Sequence, residues 1–343
     1  MSRLAQTLAI ATSPHIQAGH RVEVIMRNVV YALLPVCVFA VYAFGWTALL
    51  TLVTAIGSCM LTEHVFSRTN GKPSTLGDGS VLITGMLYGL TLPPHLPLWM
   101  TALGGLMGVG MGKCLFGGLG YNPFNPALVG RAFLQAAFPS AMTAWIPGML
   151  NTRWQQIPTS TLTWPFTAPN YEGITSATPL AMAKFESHFA GARELALGFT
   201  SGSTGETCGV LILLGGLYLA IRHMMNWRIP IAIFVTVAGL SLLFQAIDPT
   251  HYAGPMFMLF SGGLMLGAVF MATDMVASPI THTGSVIYGI LIGILVVVIR
   301  YWGGMPEGVM YAILLANAVS PHIDQWIQPR VYGTTRKAVR HAS

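Results

Sequence analysis

Charged side chains are scarce in this sequence. Only 8% of its 343 residues are Asp, Glu, Lys or Arg, whereas 53% are hydrophobic. An ordinary soluble protein carries about 25% charged residues. The 17 basic and 11 acidic residues are too few to cover a water-facing surface around this much apolar material. The composition therefore excludes an ordinary soluble enzyme and predicts an integral membrane protein.

Several chemical motifs are missing as well. The four cysteines show no Cys-x-x-Cys spacing and the histidines form no His-x-x-His pattern, so we expect buried structural thiols and no metal site. No Gly-x-Ser-x-Gly elbow occurs, and the Gly-rich run at 117–120 lacks the Gly-Lys-Ser/Thr of a phosphate loop. We therefore expect no catalytic residue in this chain. The formal net charge of +6 comes without a basic run interleaved with aromatics, which argues against nucleic-acid binding.

Ten hydrophobic stretches are candidate membrane spans, each read against the roughly 20 apolar residues that a crossing helix needs. They are 28–45, 47–66, 79–93, 96–115 and 126–138, followed by 205–222, 229–247, 255–272, 284–301 and 307–322. Two of them, 79–93 and 126–138, are short and could be re-entrant. The polar segment before the first span resembles no cleavable signal, so we expect that span to be retained.

The distribution of Lys and Arg predicts the orientation, because cytoplasmic loops retain positive charge. Twelve of the 17 basic residues fall on one side of the predicted spans. We therefore expect a multi-pass protein of the bacterial inner membrane with both termini in the cytoplasm. The predicted regions are a cytoplasmic segment 1–27, a first membrane repeat 28–138, a periplasmic loop 139–204, a second membrane repeat 205–322 and a cytoplasmic basic tail 323–343.

Five spans in each half mean that the second half enters the membrane upside down relative to the first. The halves share local texture, since Gly79-Ser80-Val81 opens the third span and Gly284-Ser285-Val286 opens the ninth. The predicted fold is an all-α polytopic membrane protein of about ten helices in two inverted five-helix repeats, with short broken or re-entrant helices. Such repeats are typical of transporters and channels. They are equally compatible with a scaffold of closely packed Gly-rich helices that holds a cofactor.

Ionisable residues within or beside apolar spans are candidates for function, since their burial in a membrane is costly. Asp274 follows a Gly-rich helix and precedes Ser-Pro, so we expect it to cap or pin a re-entrant turn, with a role in ion passage as the alternative. Arg131 is expected to bind carbonyls of a broken helix or an anionic group on the cytoplasmic side. These two are the candidate residues of an ion path. The wider group of ionisable residues within or beside the apolar spans also includes Lys113, Arg300, Asp78 and Glu307.

The segment 172–180 is the most informative part of the polar loop. Thr178 followed by Pro179 predicts an N-cap and first helical position, and the residues up to 189 form a short amphipathic pattern. A helix start presents free N–H groups and a positive dipole end, which suits a phosphate. From the residues alone, a plain helix start in an outer loop remains the alternative.

The same segment resembles the flavinylation motif Asp-x-x-Ser/Thr-Gly-Ala-Thr of a family of ten-helix redox subunits. The resemblance implies that Thr178 forms a phosphoester with FMN and that Thr175, Ser176 and Ala177 fill the preceding positions of the motif. Two positions depart from it, since Glu172 stands where Asp is usual and Ser176 where Gly is common. It also implies a flavin transferase that installs the FMN.

Other stretches resemble the same family, which comprises the RnfD (RsxD) proteins of the Rnf complexes and their counterparts in the sodium-translocating NADH:quinone reductases. They are residues 120–134, 270–279, 306–310 and 316–317. The short segment before the first span is more similar to the Rnf branch. The family fold is also similar to that of urea and ammonium channel-like inverted repeats, in agreement with the five-plus-five count.

The resemblance implies a flavin-carrying electron-transfer subunit of a complex that couples ferredoxin/NAD(H) redox chemistry to translocation of Na⁺ or H⁺. The implied partners are other subunits of that complex, including a periplasm-facing flavin subunit, and membrane lipid. For some family members it also implies a second, non-covalent riboflavin. The competing functions are a channel or secondary transporter for a small solute and a passive assembly scaffold.

Overall fold

The computed structural model describes residues 21–71, 76–155, 157–165, 167, 177–186, 191–198, 201–206 and 208–329, and within them it contains helices and no strand. The helices of the first half are α1 (Val22–Phe44), α2 (Trp46–Thr69), α3 (Ser80–Thr91), α4 (Leu98–Val109), α5 (Pro126–Ala137) and α6 (Pro139–Met142). The connecting region holds α7 (Pro179–Phe185) and α8 (Ala192–Leu197). The second half contains α9 (Gly209–Ile221), α10 (Arg228–Ile247), α11 (Pro255–Phe260), α12 (Leu264–Leu266), α13 (His282–Trp302) and α14 (Val309–Trp326).

The helices coincide with the predicted spans to within a few residues at most ends. Four of them, α1, α2, α10 and α13, are long and apolar enough to cross a membrane. The prediction of an all-helical protein with membrane-spanning segments is thus confirmed at this level. The inverted ten-span repeat, the domain boundaries and the orientation stay predictions.

The first helix begins six residues earlier than the predicted span. Its first turn carries Glu23 and its apolar run follows Arg27. The predicted span starts after these charged residues, whereas the helix starts before them. Hydrogen bonding of the helix backbone does not require apolar side chains. The polar first turn extends the helix beyond its apolar part.

The predicted eighth span, 255–272, is not one continuous helix. It breaks at Ser261-Gly262-Gly263 between α11 and α12, and α12 continues into a π-helical segment, Gly267–Met271. Gly262 has a φ of 65°, a left-handed conformation that residues with a Cβ adopt only at a cost. Hydropathy identifies the apolar run but carries no information on this break.

The helices of the two halves pair in the same order. In the first half α2 packs on α3 and α4, and α4 packs on α5. In the second half α10 packs on α11 and α13, and α13 packs on α14, while α1 and α9 meet across the halves. The two halves therefore share one order of helix pairing, while the inverted repeat itself stays a prediction.

Small residues bring α4 and α5 into backbone contact. A Cβ on Gly130 would lie 2.6 Å from the carbonyl oxygen of Gly104, and one on Gly108 would lie 2.7 Å from that of Pro126. Close approach through glycine is typical of helices that pack without a hydrophobic driving force. The contact fixes α5, which carries Arg131, against the rest of the first half.

Replacing Gly130 by Ala is therefore expected to destabilise the protein by about 1–3 kcal/mol, the usual range for overpacking. Gly239→Ala is the matched control, because a Cβ there meets nothing within 4 Å in the middle of α10. Thermal unfolding in detergent measures both variants. Equal melting temperatures for Gly130→Ala and the wild type would show that the α4–α5 contact is looser than described.

Candidate functional site

Thr178 caps the short helix α7, as its sequence predicts. Its Oγ1 accepts a hydrogen bond of 3.2 Å from the backbone N–H of Ala181, and Pro179 occupies the first helical position. Thr178 is 8% exposed. The helix ends at Phe185, four residues before the predicted end at 189, with Glu186 in the capping position.

The other residues of the motif are only partly visible. Ala177 is exposed, and its carbonyl accepts a hydrogen bond of 2.8 Å from the hydroxyl of Ser201. Glu172, Thr175 and Ser176 lie outside the described residues. The structure therefore describes the end of the motif, at the residue where it meets α7.

Helix α7 is held against the second half of the chain. Leu180 is buried, and the Lys184 ammonium group donates to the carbonyls of Gly303 and Met305, the latter at 3.2 Å. Burial lowers the pKa of Lys184. A cavity of about 50 Å³ lies beside the helix, and its walls include Lys184, Tyr252, Arg300 and Tyr301.

The break between α11 and α12 is stabilised by one cation and one anion. Arg300, in the last turn of α13, donates to the carbonyls of Met258 at 2.6 Å and Ser261 at 2.8 Å. Glu307 accepts a hydrogen bond of 2.5 Å from the N–H of Gly263. Each charge thus faces the helix end of opposite polarity, which is the favourable arrangement.

The Thr178 segment packs directly on this break. A Cβ on Gly262 would lie 2.6 Å from Leu180 Cδ1, 3.1 Å from Arg300 Nη2 and 3.2 Å from Glu307 Oε1. These three side chains therefore converge on one glycine, and Leu180 is only two residues from Thr178. The loop helix and the buried charges form one site.

Arg131 joins this site from the first half. Its Nη2 is 3.1 Å from Glu307 Oε2, and the two side chains are 10% and 18% exposed. The expected anionic partner of Arg131 is therefore present. Glu307 also lies near Gly262, on which Leu180 of α7 packs, and the side of the membrane on which Arg131 lies stays a prediction. Sequence position along α5 did not reveal a partner 176 residues away.

Glu206 completes the charge cluster. Its carboxyl group accepts a hydrogen bond of 2.8 Å from the hydroxyl of Ser203. It lies near that of Glu307, since a Cβ on Gly263 would be 2.8 Å from Glu307 Oε1 and 3.9 Å from Glu206 Oε1. The turn before α9 holds it in place, since the N–H groups of Thr204 and Gly205 donate to carbonyls at the end of α3. We call Arg131, Glu206, Arg300 and Glu307 the outer cluster.

A second buried ion pair lies at the start of α3. The Lys113 ammonium group is 2.9 Å and 2.8 Å from the two carboxylate oxygens of Glu63 and 2.7 Å from the hydroxyl of Ser80. That hydroxyl donates to Asp78 at 2.6 Å. Lys113 lies in the π-helical segment Gly110–Cys114 that ends α4. The pair fastens α2, α3 and α4 together.

Asp274 stabilises the turn that follows the broken helix. Its carboxylate accepts the N–H of Val276 at 3.1 Å. This is the turn-pinning arrangement that the sequence predicts for Asp274. A cavity of about 120 Å³ lies beside it, with Ser80, Lys113, Asn122 and Asn125 among its lining residues. The structure therefore brings Asp274 near Lys113 and leaves Arg131 in the outer cluster.

Sequence reasoning missed two acidic residues, Glu63 and Glu206. Each is a lone acid within or at the edge of a strongly apolar run, which is the signal that selected Lys113 and Arg300. Applying that signal to every ionisable residue within or beside the apolar runs would have found them.

Known proteins resemble this chain over nearly its full length. The family model described as "NQR2, RnfD, RnfE family" matches residues 9–333. Among similar curated proteins, the D component of the proton-translocating ferredoxin:NAD(+) oxidoreductase complex of Clostridium ljungdahlii is 39% identical, over 95% of this chain and 96% of its own length.

Two further relatives are the D components of complexes from other bacteria. The one from the ion-translocating oxidoreductase complex of Stutzerimonas stutzeri is 41% identical, over 91% of this chain and 92% of its own. The one from the Na(+)-translocating ferredoxin:NAD(+) oxidoreductase complex of Acetobacterium woodii is 38% identical, over 96% of each chain. The similarity therefore includes both halves and the region between them.

The Lys113–Glu63 pair makes a stability prediction. Lys113→Met removes the cation beside a carboxylate that is 3% exposed, and loss of one partner of a buried pair costs about 3–5 kcal/mol. The double variant Lys113→Met/Glu63→Gln should regain much of this loss, because no uncompensated charge remains. Thermal unfolding of the single and double variants measures the difference. Additive losses would contradict a direct interaction between the two side chains.

Proposed function

The chain belongs to the NQR2, RnfD, RnfE family, and on that basis we propose that it is the flavin-carrying electron-transfer component of an ion-translocating ferredoxin:NAD oxidoreductase complex. Its relatives are named as the D components of such complexes. In this proposal the chain has no independent activity. It holds a redox group in the membrane complex and passes electrons between its partners.

The position of Thr178 is the observation that best supports covalent FMN. A phosphoester needs a hydroxyl, and the adjacent phosphate needs donors that compensate its negative charge. Thr178 supplies the hydroxyl, and one backbone N–H of the first turn of α7, that of Ala181, donates to it at 3.2 Å. The residues therefore fit the phosphate end of FMN. When bound, FMN would supply electron transfer through a ring that the phosphoester leaves unaltered.

The task of this chain would then be to position the group and to set its electrostatic surroundings. The contact of Leu180 with the helix break and the two hydrogen bonds of Lys184 fix α7. The outer cluster beneath it contributes two guanidinium groups. Because Thr178 is largely covered, the flavin transferase would need to act before α7 docks, or after it has moved away.

The remaining parts of the proposal concern ions, partners and location. Relatives of nearly equal identity are named for protons in one organism and for Na⁺ in another, so we propose coupling to H⁺ or Na⁺, with Asp274 and Arg131 as candidates for the path. We further propose a bacterial inner-membrane location with α7 facing the periplasm. There a flavin subunit of the same complex would exchange electrons with Thr178-bound FMN.

The cavity beside Asp274 supports a second, non-covalent riboflavin. Its walls combine apolar side chains with Lys113, Asn122 and Asn125, and the edge of a flavin ring alternates donors and acceptors that such groups can satisfy. At about 120 Å³ the cavity is smaller than a typical ligand pocket. Riboflavin binding would therefore require its walls to move apart.

A channel or secondary transporter for a small solute is the competing function. The broken helix between α11 and α12 favours it, because transporters use helix breaks of this kind to bind substrates and ions. Thr178 separates the two proposals, since a solute path has no need for a hydroxyl group at that position.

Replacing Thr178 by Ala should abolish covalent flavin. The protein is co-expressed with an FMN transferase, denatured, and examined for flavin fluorescence on a gel, with mass spectrometry of the peptide spanning 172–184. We expect a fluorescent band and a peptide carrying FMN in the wild type, and neither in Thr178→Ala. Thr178→Ser retains a hydroxyl and should retain part of the label.

The control removes another hydroxyl group near the site. Ser201→Ala deletes the hydroxyl that bonds to the carbonyl of Ala177, and this variant should remain labelled. A wild-type protein without flavin, despite an active transferase, would contradict the proposal and favour the transporter.

A further inference from the structure

A groove of about 390 Å³ lies on the lateral surface of the first half, between α2 and α4. Leu61 and Thr62 of α2 form one wall, and Leu103 and Leu106 of α4 form the other. Its size falls within the range of small-molecule sites in proteins. The groove shares no residue with the outer cluster or with the cavity beside Asp274, so the proposed function leaves it unexplained.

The hydroxyl groups in this groove are already bonded to the backbone of α2. Ser58 donates to the carbonyl of Ala55 at 3.1 Å, and Thr62 donates to the carbonyl of Ser58 at 2.7 Å. Trp99 and Phe138 close one end of the groove, and their rings meet edge to face with centroids 5.3 Å apart. The groove therefore offers mainly aliphatic and aromatic surface, which suits an apolar occupant.

The same face of α2 continues from the groove to a basic end. Val65 and Arg68 follow Leu61 at a spacing of four and seven residues, so the three side chains lie on one face of the helix. Val65 and Arg68, together with His64 and Thr69, line an open recess of about 360 Å³. An apolar groove and a basic recess therefore follow each other along one helix.

The charge of Arg68 is available to a ligand. Arg68 is exposed in the last turn of α2 and forms no ion pair with any carboxylate that the structure describes. The Thr69 hydroxyl donates to the carbonyl of Val65 at 2.6 Å, which leaves Arg68 and His64 as the side chains that can donate from this recess. A guanidinium group binds phosphate through paired hydrogen bonds.

The length of this face matches one leaflet of a membrane. Ser58 and Arg68 are ten residues apart in α2, which corresponds to about 15 Å at the rise of an α-helix. The hydrocarbon core of a bilayer is about 30 Å thick, so the face extends over roughly half of it. A molecule with an acyl chain in the groove would therefore carry its headgroup at Arg68.

We propose that the α2–α4 groove and the Arg68 recess together bind one anionic phospholipid. Its phosphate contacts Arg68, and one of its acyl chains lies in the groove and ends against Trp99 and Phe138. A helix of a partner subunit fits less well. The two helices approach closely, since a Cβ on Gly105 would lie 3.2 Å from Ser58 Cβ, and a helix about 10–12 Å wide would rest on the rims of so narrow a groove. The site does not depend on flavin at Thr178.

Native mass spectrometry of the full chain in detergent tests the proposal. Phosphatidylglycerol is the anionic probe, and phosphatidylcholine with the same acyl chains is the zwitterionic one. We expect one phosphatidylglycerol molecule to bind more tightly than phosphatidylcholine. Arg68→Gln should weaken phosphatidylglycerol binding about fivefold, the usual effect of one basic residue on an anionic lipid, and phosphatidylcholine binding less. Arg222→Gln is the matched control at the exposed arginine that ends α9, and it should leave both affinities unchanged.

A second variant tests the groove itself. Leu106→Trp places a larger side chain in the groove at a residue that is 48% exposed, and it should weaken the binding of both lipids. Should this variant fail to fold, the comparison of Arg68→Gln with Arg222→Gln decides alone.

Two results would overturn the proposal. Equal binding of the two lipids, unaffected by Arg68→Gln, would show that the groove holds only the lipid that surrounds any membrane protein. Phosphatidylglycerol that binds the isolated chain but is absent from the assembled complex would show that a partner subunit covers the groove. Retention of one phosphatidylglycerol molecule by the assembled complex, and its loss in Arg68→Gln, would support the site.

Discussion

The break between α11 and α12 creates the requirement on which the outer site depends. A helix that stops inside an apolar protein leaves C=O and N–H groups without partners, and a membrane interior offers none. Arg300 satisfies carbonyls at the end of α11, and Glu307 satisfies an N–H at the start of α12. Burying these charges in turn requires counter-charges, which explains why Arg131 reaches Glu307 from the other half of the chain.

The same requirement acts at the end of α3. This helix has only 12 residues, and its last carbonyls accept hydrogen bonds from Thr204 and Gly205 of the second half. The turn that makes these bonds also carries Glu206 into the outer cluster. The two halves are therefore joined by hydrogen bonds to backbone groups at the ends of broken or short helices. The charged residues lie where those hydrogen bonds are made. The Thr178 helix packs on that junction through Leu180.

Local features of the fold could be predicted from the sequence because they depend on neighbouring residues. Apolar runs indicated the helices, and Thr178 followed by Pro179 indicated the start of α7. Tertiary pairings could not be obtained in this way. Glu63 meets Lys113 across 50 residues and Arg131 meets Glu307 across 176, and no periodicity encodes such distances. The helix break was missed because Ser261-Gly262-Gly263 lies inside an otherwise continuous apolar run.

Electron transfer at Thr178 and ion movement near Asp274 would occur at different ends of α13, since the Asp274 turn leads into its start and Arg300 lies in its last turn. One segment touches both places. Its break at Gly262 contacts Leu180, Arg300 and Glu307, and its chain then runs through the π-helical segment Gly267–Met271 to Asp274. A π-helical turn is a site where helical register can change. A change of charge in the outer cluster would alter the hydrogen bond from the N–H of Gly263 to Glu307. The backbone is continuous from Gly263 to Asp274. It is the shortest covalent connection by which electron transfer at Thr178 would influence ion movement near Asp274. Coupling in this sense requires the segment to have two arrangements, and its break, its π-helical turn and its glycines are the features that permit them.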